Sequence, residues 1–428
     1  MGRKITVTVT NRVTEFEQPY DKEELLPYFS FYPPGYKFSP QYRMGMWDGK
    51  IRMLKYHKVP TGLFLAMKDQ IQSELNVKFK ATTDYIKVKF RETGIVSDRP
   101  YQNECVDRMV TASATGGGLI LGATGSGKTY IAAMYFSRLE GSACFVVDEL
   151  TLLFQAQKEI SEVLGEEVGI VGKQQFNPKR ITIATIQTLS LHKEDEKFEQ
   201  WTDKLSVVLI DEIHQAMNRR NFGVVESIQP PIVFGLTATL ELQKKHIRMK
   251  AYGLTGPVVF EYPLAQGIQE GYLSNGVVIQ VVCREYKRER KGMEHYQDDY
   301  NDLIVQSRER NNIVYDLAME ARKRHKYTVI LVERIRHIKT LSRMFEDVPH
   351  RLVYGKKQVE DRVLATKKFE AGKIRIIIAN RVFKKGVNIK RIDVIIDAAA
   401  MTSRNDAKQK FGRGIRTCDG KVGLIYLD

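Results

Sequence analysis

The chain has 428 residues, enough for two or three domains, and 43% of them are hydrophobic, so each domain can bury a core. A formal charge of +16 points to a polyanionic partner, nucleic acid before an acidic membrane surface. No run of about 18 apolar residues occurs, and the opening MGRKITVTVT lacks the apolar centre of a signal peptide, so neither a membrane span nor a cleaved leader is expected.

Residues 1–92 form the first predicted domain. They carry no nucleotide signature but are rich in aromatic and basic residues. In the stretch from Phe38 to Lys58, Arg43, Lys50, Arg52, Lys55 and Lys58 can meet phosphates, while Tyr42, Trp47 and Tyr56 can stack on bases or ribose. Trp47, Ile51 and Leu54 equally suit the core of a small β-rich domain. The two uses are compatible, with aromatics mostly inside and basic tips outside. Trp47-Asp48-Gly49-Lys50 reads as a turn joining two strands.

The second predicted domain, 93–262, alternates short apolar runs with helical patterns, as βαβ units do. The runs are Gly118–Leu121, Cys144–Val147, Ile181–Ala184, Val207–Ile210 and Ile232–Leu236. Directly after the first run, Gly122 to Thr129 read GATGSGKT, which matches the phosphate-binding loop. Backbone N–H groups of Gly122, Thr124, Gly125, Ser126 and Gly127 can close around phosphate oxygens. Lys128 supplies a cation for the β- and γ-phosphates, and Thr129 a hydroxyl for Mg²⁺. The run Tyr130–Leu139 reads as the helix whose positive end faces the nucleotide. After Val207–Ile210 come Asp211, Glu212, Ile213 and His214, the string DEIH, at the strand end where open α/β sheets hold ligands.

The segment Pro257 to Gly271 reads as a connection. In the third predicted domain, 263–428, the alternation resumes with Val277–Val282, Thr328–Val332, Arg351–Val353, Ile374–Ile378, Val394–Ile396 and Val422–Tyr426. This half has no phosphate loop. It ends in QKFGRGIR, in which Arg413 and Arg416 are three apart and share a helix face. The four cysteines Cys105, Cys144, Cys283 and Cys418 form no C-x-x-C pair, so zinc is not expected and a reduced, cytosolic setting is.

Taken in order, the motifs from about residue 99 to 416 resemble those of the superfamily 2 helicases. Arg99-Pro100-Tyr101-Gln102 looks like the adenine-reading glutamine motif. Val146–Gln157 and Ile181–Leu189, which includes Thr185 and Gln187, resemble first-domain strand-contact motifs. DEIH stands where the family has DEAH or DECH, and Leu236-Thr237-Ala238-Thr239 is similar to the S/T-A-T motif. Val329–Leu341 begins the second domain's contacts. Gly355, Arg362 and Phe369 precede ANRVFKKGVNI, which resembles the motif that senses both ATP and strand. There Asn380 replaces a common threonine and Asn388 a common acidic residue. The chain ends at Asp428, soon after the arginine motif, where relatives often continue. Phe38–Leu54 with Thr61-Gly62-Leu63 looks like the N-terminal domain of the phage UvsW-type helicases, which process branched recombination and replication intermediates.

The resemblance implies an α/β chain: two RecA-like doubly wound parallel-sheet domains in tandem, behind a small N-terminal α+β domain. It implies an ATP-hydrolysing enzyme with ATP and Mg²⁺ as cofactors. Thr129 and Asp211 would be on the metal and Glu212 on the attacking water, with Arg413 and Arg416 as arginine fingers and Gly386 near the nucleotide. His214, Thr237, Thr239 and Gln409 would couple ATP to the strand. Lys384 and Lys385 would join Arg43, Trp47, Lys50, Arg52, Lys55, Thr185 and Gln187 in nucleic-acid contact. The expected partners are branched, duplex and single-stranded DNA, engaged by a monomer in the cytoplasm, that of the host if the chain is phage-encoded. An RNA or RNA–DNA hybrid helicase is one alternative, and a DNA clamp switched by ATP without strand separation is another.

Overall fold

The computed structural model describes residues 3–192, 194–281, 283, 296–354, 359–380, 392–399 and 423–427. They fall into two compact units. One holds Met1–Gly122 and Gly127–Tyr262; the other holds Pro263–Asp428 together with Ala123–Ser126.

The first unit opens with β1 (Arg3–Thr10), β2 (Val13–Phe16), β3 (Ser30–Phe31), β4 (Ile51–Arg52), β5 (Lys58–Pro60) and β6 (Val77–Asp84). Four of these make a sheet in the order β5-β2-β1-β6, and β3 pairs with β4. Alternation in β1 turns Ile5, Val7 and Val9 to one face, where they pack with Phe16, Phe29, Phe64 and Ile71. Phe64 and Ile71 come from the helix Thr61–Leu75, which ends at Asn76 in left-handed backbone, φ 49°. The expected turn at Trp47–Lys50 does not join two strands: it follows the short helix Pro40–Arg43 and leads into β4.

This small α+β layer shares its core with the larger part of the unit. Met249, from the helix Lys245–Leu254, is buried among its aromatic residues. Arg12 donates to the Leu254 carbonyl at 2.8 Å, and Lys245 to the Pro27 carbonyl at 2.8 Å. Gly62 permits the approach. A Cβ there would lie 2.4 Å from the Tyr252 carbonyl oxygen and 2.5 Å from Gly256 Cα.

The large sheet of this unit is built from β7 (Gly117–Gly122), β8 (Ser142–Val147), β9 (Gly169–Gly172), β10 (Gln175–Asn177), β11 (Ile181–Thr185), β12 (Leu205–Asp211), β13 (Ile232–Thr237) and β14 (Val258–Tyr262). Their order is β10-β9-β11-β8-β12-β13-β7-β14. All neighbours are parallel except β10 and β9. The central strands are buried on both faces, hence their unbroken apolar runs. Val258–Tyr262, expected within a connection, is instead the edge strand beside β7. Its outward Glu261 breaks the apolar run that would have marked it.

The second unit carries β15 (Gly276–Gln280), β16 (Thr328–Leu331), β17 (His350–Val353), β18 (Ile376–Ala379), β19 (Val394–Asp397) and β20 (Gly423–Leu427). They form one parallel sheet in the order β15-β20-β19-β16-β18-β17. Apolar layers cover both faces, one with Val314, Ile338 and Phe345, the other with Tyr327, Phe369 and Ile374. The helix Arg308–Lys323 begins at Ser307, whose hydroxyl accepts from the Arg310 N–H. The chain is thus two RecA-like parallel-sheet domains in tandem with an α+β layer at the N-terminal side.

Candidate nucleotide site and nucleic-acid surface

Three adjacent strands set the site. β13 lies between β12 and β7, with Asp211 level with Leu236 and Thr237 level with Leu121. The C-terminal ends of all three therefore meet at one edge, where parallel sheets hold ligands. From β7 the chain turns through Ala123–Gly127 into the helix Lys128–Arg138. Gly125 and Gly127 take φ of 89° and 80°, a left-handed backbone that a side chain would strain. Gly127 is also pressed by a neighbour: a Cβ there would lie 2.6 Å from Gln102 Nε2. The loop and Gln102 are thereby together. Gln102 is buried on the helix Pro100–Ala112, and its carbonyl oxygen accepts a short hydrogen bond from Ser97 Oγ. Beside it, the Tyr101 ring stacks on Tyr262 of β14, with centroids 3.8 Å apart.

Lys128 Nζ donates to the Gly122 carbonyl at 3.1 Å, folded back over the loop. Thr129 follows on the helix's first turn, half-buried. Asp211 ends β12, and Glu212 leaves it in left-handed backbone, φ 47°. That bend returns the Glu212 N–H to Asp211 Oδ1 at 3.0 Å. Glu212 Oε2 accepts from Thr237 Oγ1 at 3.1 Å and lies 3.3 Å from His214 Nδ1. Thr237 Oγ1 in turn accepts from the Thr239 N–H at 3.2 Å.

The electrostatics divide the two carboxyls. Burial, then the Glu212 charge, pushes Asp211 up to about 6, with Lys128 offsetting part of the rise. Burial also pushes Glu212 up. The His214 hydrogen bond, Lys128 and the Thr237 hydroxyl outweigh it, so Glu212 sits below its usual value. One carboxylate is thus held ionised, while the other lacks a full countercharge. A hydroxyl and carboxylate oxygens are hard donors that suit Mg²⁺, and a divalent cation would supply the charge that Asp211 lacks.

Thr185 ends β11, buried, with its hydroxyl 2.8 Å from that of Thr188. Gln187 is exposed on the next helix, where its carboxamide donates to the Asp148 carbonyl at 2.7 Å and to Asp148 Oδ1 at 3.2 Å. Ser97, Asp148 and Tyr262 thus support residues that the motifs pointed to. Tyr262 had no signal, because its strand was not expected.

In the N-terminal layer the expected contacts separate by exposure. Arg43 is exposed, its guanidinium 5.8 Å from the Phe38 ring centroid. Lys50 lies 5.5 Å from the Tyr32 centroid. Arg52 is tied to Asp48 by bonds of 2.6 and 3.2 Å, and Lys55 is exposed. Trp47 is half-buried, its indole N–H donating to the Lys50 carbonyl at 2.9 Å, so it acts first as a strut. Tyr42 packs edge-on against Tyr36, whereas Tyr56 is 88% exposed. Lys384, Lys385, Gly386, Gln409, Arg413 and Arg416 lie outside the described residues.

Three family models match the chain: "Type III restriction enzyme, res subunit" over residues 95–242, "Helicase conserved C-terminal domain" over 309–418, and "DNA helicase UvsW, N-terminal" over 22–88. The chain is 22% identical to the ATP-dependent DNA helicase uvsW of Enterobacteria phage T4, over 95% of this chain and 86% of that protein. It is 23% identical to the DNA 3'-5' translocase XPB2 of Sulfurisphaera tokodaii, over 84% of this chain and 87% of that one. Among solved structures, T4 UvsW superposes with a TM-score of 0.50 at 18% identity, covering 99% of this chain and 90% of the other. A fragment of a putative HsdR subunit of a type I restriction enzyme from Vibrio vulnificus reaches 0.59 at 19% identity, over 78% and 64%.

Proposed function

We infer that this chain, a superfamily 2 helicase that resembles the UvsW type, is an ATP-dependent DNA helicase and translocase that unwinds or branch-migrates forks, loops and four-way junctions. The observation that carries the reading is the meeting of the phosphate loop, Asp211-Glu212 and Thr237 at the ends of three neighbouring strands. The match of residues 22–88 to the N-terminal domain model turns it toward branched DNA.

The chemistry is in-line attack of water on the γ-phosphorus of ATP. The new P–O bond forms as the bond to the ADP oxygen breaks, and Glu212 takes the proton of the attacking water. The ionised state of Glu212, kept by His214, Lys128 and Thr237, is the one such a proton acceptor needs. Lys128 meets the charge that develops on the β- and γ-phosphates. Thr129 and Asp211 would hold Mg²⁺, which neutralises phosphate charge when bound. Gln102 would read the adenine, and Arg413 and Arg416 would supply further positive charge to the transition state. Thr237 touches Glu212 directly, so it and Thr239 can pass the state of the site into the segment that follows β13.

We further propose that the enzyme works as a monomer in the cytoplasm, in phage replication and recombination. Backbone contacts would dominate, so sequence preference would be weak. The test is an ATPase and unwinding panel over single strands, forks, four-way junctions and RNA–DNA hybrids, with Glu212→Gln as control. The expected result is DNA-stimulated turnover and preference for branched DNA. Glu212→Gln should retain ATP and DNA binding and lose hydrolysis. Parental turnover in Glu212→Gln would move the proton acceptor elsewhere. Preference for the hybrid would replace DNA with RNA–DNA as substrate, and turnover without strand separation would make the chain an ATP-switched clamp.

A further inference from the structure

Lys55 to Lys58 form a two-residue hairpin. Lys55 and Lys58 exchange N–H···O bonds of 2.9 and 2.8 Å, and the two loop residues, Tyr56 and His57, have φ of 48° and 67°. Hairpins of this shape are ordinarily closed by Asn and Gly, because positive φ crowds a Cβ. Here two ring-bearing residues hold the positions. The loop is fixed from below: His57 Nδ1 lies 2.7 Å from the Tyr20 hydroxyl and 3.3 Å from Gln18 Nε2, and the Phe16 N–H donates to the His57 carbonyl at 2.8 Å. The Tyr20 ring also meets the imidazole edge-on, with centroids 5.6 Å apart. The result is a rigid tip that projects the Tyr56 ring into solvent, 88% exposed.

Among the described residues, the Tyr56 ring belongs to no buried core cluster. Of the cations about the tip, Lys55 is exposed, whereas Lys58 pairs with Glu15 at 3.5 Å and Arg52 with Asp48 at 2.6 Å. Below it lies a groove of about 1230 Å³, bounded on one side by Met46, Trp47 and Tyr56 and on the other by Met217, Phe222 and Gln229. The second wall belongs to the helix Arg219–Ile228, with Met217 ahead of its N-cap and Gln229 at its C-cap, a few residues past the DEIH string. Cations interleaved with rings are the chemistry of unpaired nucleic acid, in which phosphates track charge and each base offers a π-face. Paired bases inside a duplex hide those faces.

We propose that Tyr56 is a stacking post for an unpaired nucleobase at a DNA branch, and that the groove receives the bases beside it. The proposal rests on the helicase reading and adds a substrate feature to it: the site distinguishes an unpaired arm from blunt duplex.

The test uses the full chain without nucleotide and two DNAs, a blunt duplex and the same duplex with a single-stranded arm. The arm carries 2-aminopurine at its first unpaired position. Tyr56→Ala removes the ring, and Tyr56→Asn does so with a residue that left-handed backbone tolerates. Tyr56→Phe keeps it. The parent and Tyr56→Phe should quench 2-aminopurine, and the other two should not. Affinity for the armed DNA should fall about tenfold, the scale of one lost base–aromatic stack, with an unchanged salt slope. Lys55→Ala should instead lower that slope by about 0.7. Affinity for blunt duplex should hold in the ring-removing variants. Retained quenching without the ring, or equal losses on both DNAs, overturns the proposal. So does a change in self-association alone, which would make the ring a protein contact. ATPase stimulation by a long single strand is read in parallel: its absence in the parent would sink the helicase reading while leaving the stacking result to stand or fall by itself.

Discussion

Asp211 and Glu212 share a peptide bond, but their surroundings push the two carboxyls in opposite directions. Asp211 is raised to about 6, by burial and then by its neighbour's charge. A raised carboxyl is protonated below that value, and a protonated carboxyl is a poor ligand for a hard cation. Protons and Mg²⁺ should therefore compete. Mg²⁺-dependent ADP affinity is expected to fall as the pH drops through about 6, by up to about tenfold per pH unit below it. Calorimetric titration between pH 5 and 8 measures this, and Asp211→Asn should bind more weakly with a shallower profile, the remaining slope coming from the ADP phosphate, which titrates in the same range. A parental profile no steeper than that of Asp211→Asn would remove Asp211 from the metal. The same shift has a consequence for folding. A value raised in the folded state favours folding at low pH, and that gain is lost as the pH rises through about 6. Nucleotide-free Asp211→Asn should accordingly melt higher than the parent at pH 7.5.

At the scale of elements, Gly62 is where the N-terminal layer meets the first parallel sheet. An added Cβ would strike backbone atoms of Tyr252 and Gly256, which cannot rotate away as a flexible side chain could. Gly62→Ala should cost about 1–3 kcal/mol, the usual range for overpacking. It should also loosen amide protection in Thr61–Leu75 and Lys245–Leu254 together. Hydrogen exchange reads both helices at once, and loosening of one alone would deny that they are a shared core.

Differences between elements also decide what the sequence could disclose. The strands ending in Gly122, Asp211 and Thr237 announced themselves because burial on both faces demands unbroken apolar runs, and the motifs sit at their ends. Val258–Tyr262 did not, because an edge strand tolerates an exposed Glu261. The N-terminal turns were harder still. Trp47-Asp48-Gly49-Lys50 has hairpin composition but follows a short helix, while the actual hairpin is Lys55-Tyr56-His57-Lys58, with no glycine or asparagine. Tertiary bonds to His57 hold that turn, and local composition cannot reveal them. Likewise, exposure alone separates the exposed Tyr56 from the Trp47 strut, although the two rings read alike in sequence.

For the whole molecule, a formal charge of +16 creates a field that attracts any polyanion, so the question is which cations make defined contacts. The N-terminal layer shares Met249 with the first parallel-sheet domain and is bonded to it through Arg12 and Lys245 among others. Removing residues 1–92 would therefore expose apolar surface and confuse lost binding with lost stability. Charge reversal avoids this. Arg43 is exposed, and Lys50 is only partly covered by Tyr32. Arg52 is a weaker choice, because Asp48 already neutralises it. Arg43→Glu with Lys50→Glu should leave the melting temperature within about 2 °C, since surface changes of this kind usually cost under about 0.5 kcal/mol each. If both cations hold duplex phosphates, each loss lowers the salt slope of junction binding by about 0.9. Affinity should fall most at low salt, and single-strand ATPase should stay near the parental rate. Junction affinity unchanged at low salt, with the fold intact, would make the N-terminal layer a structural cap on the first domain and deny it a grip on the duplex arms.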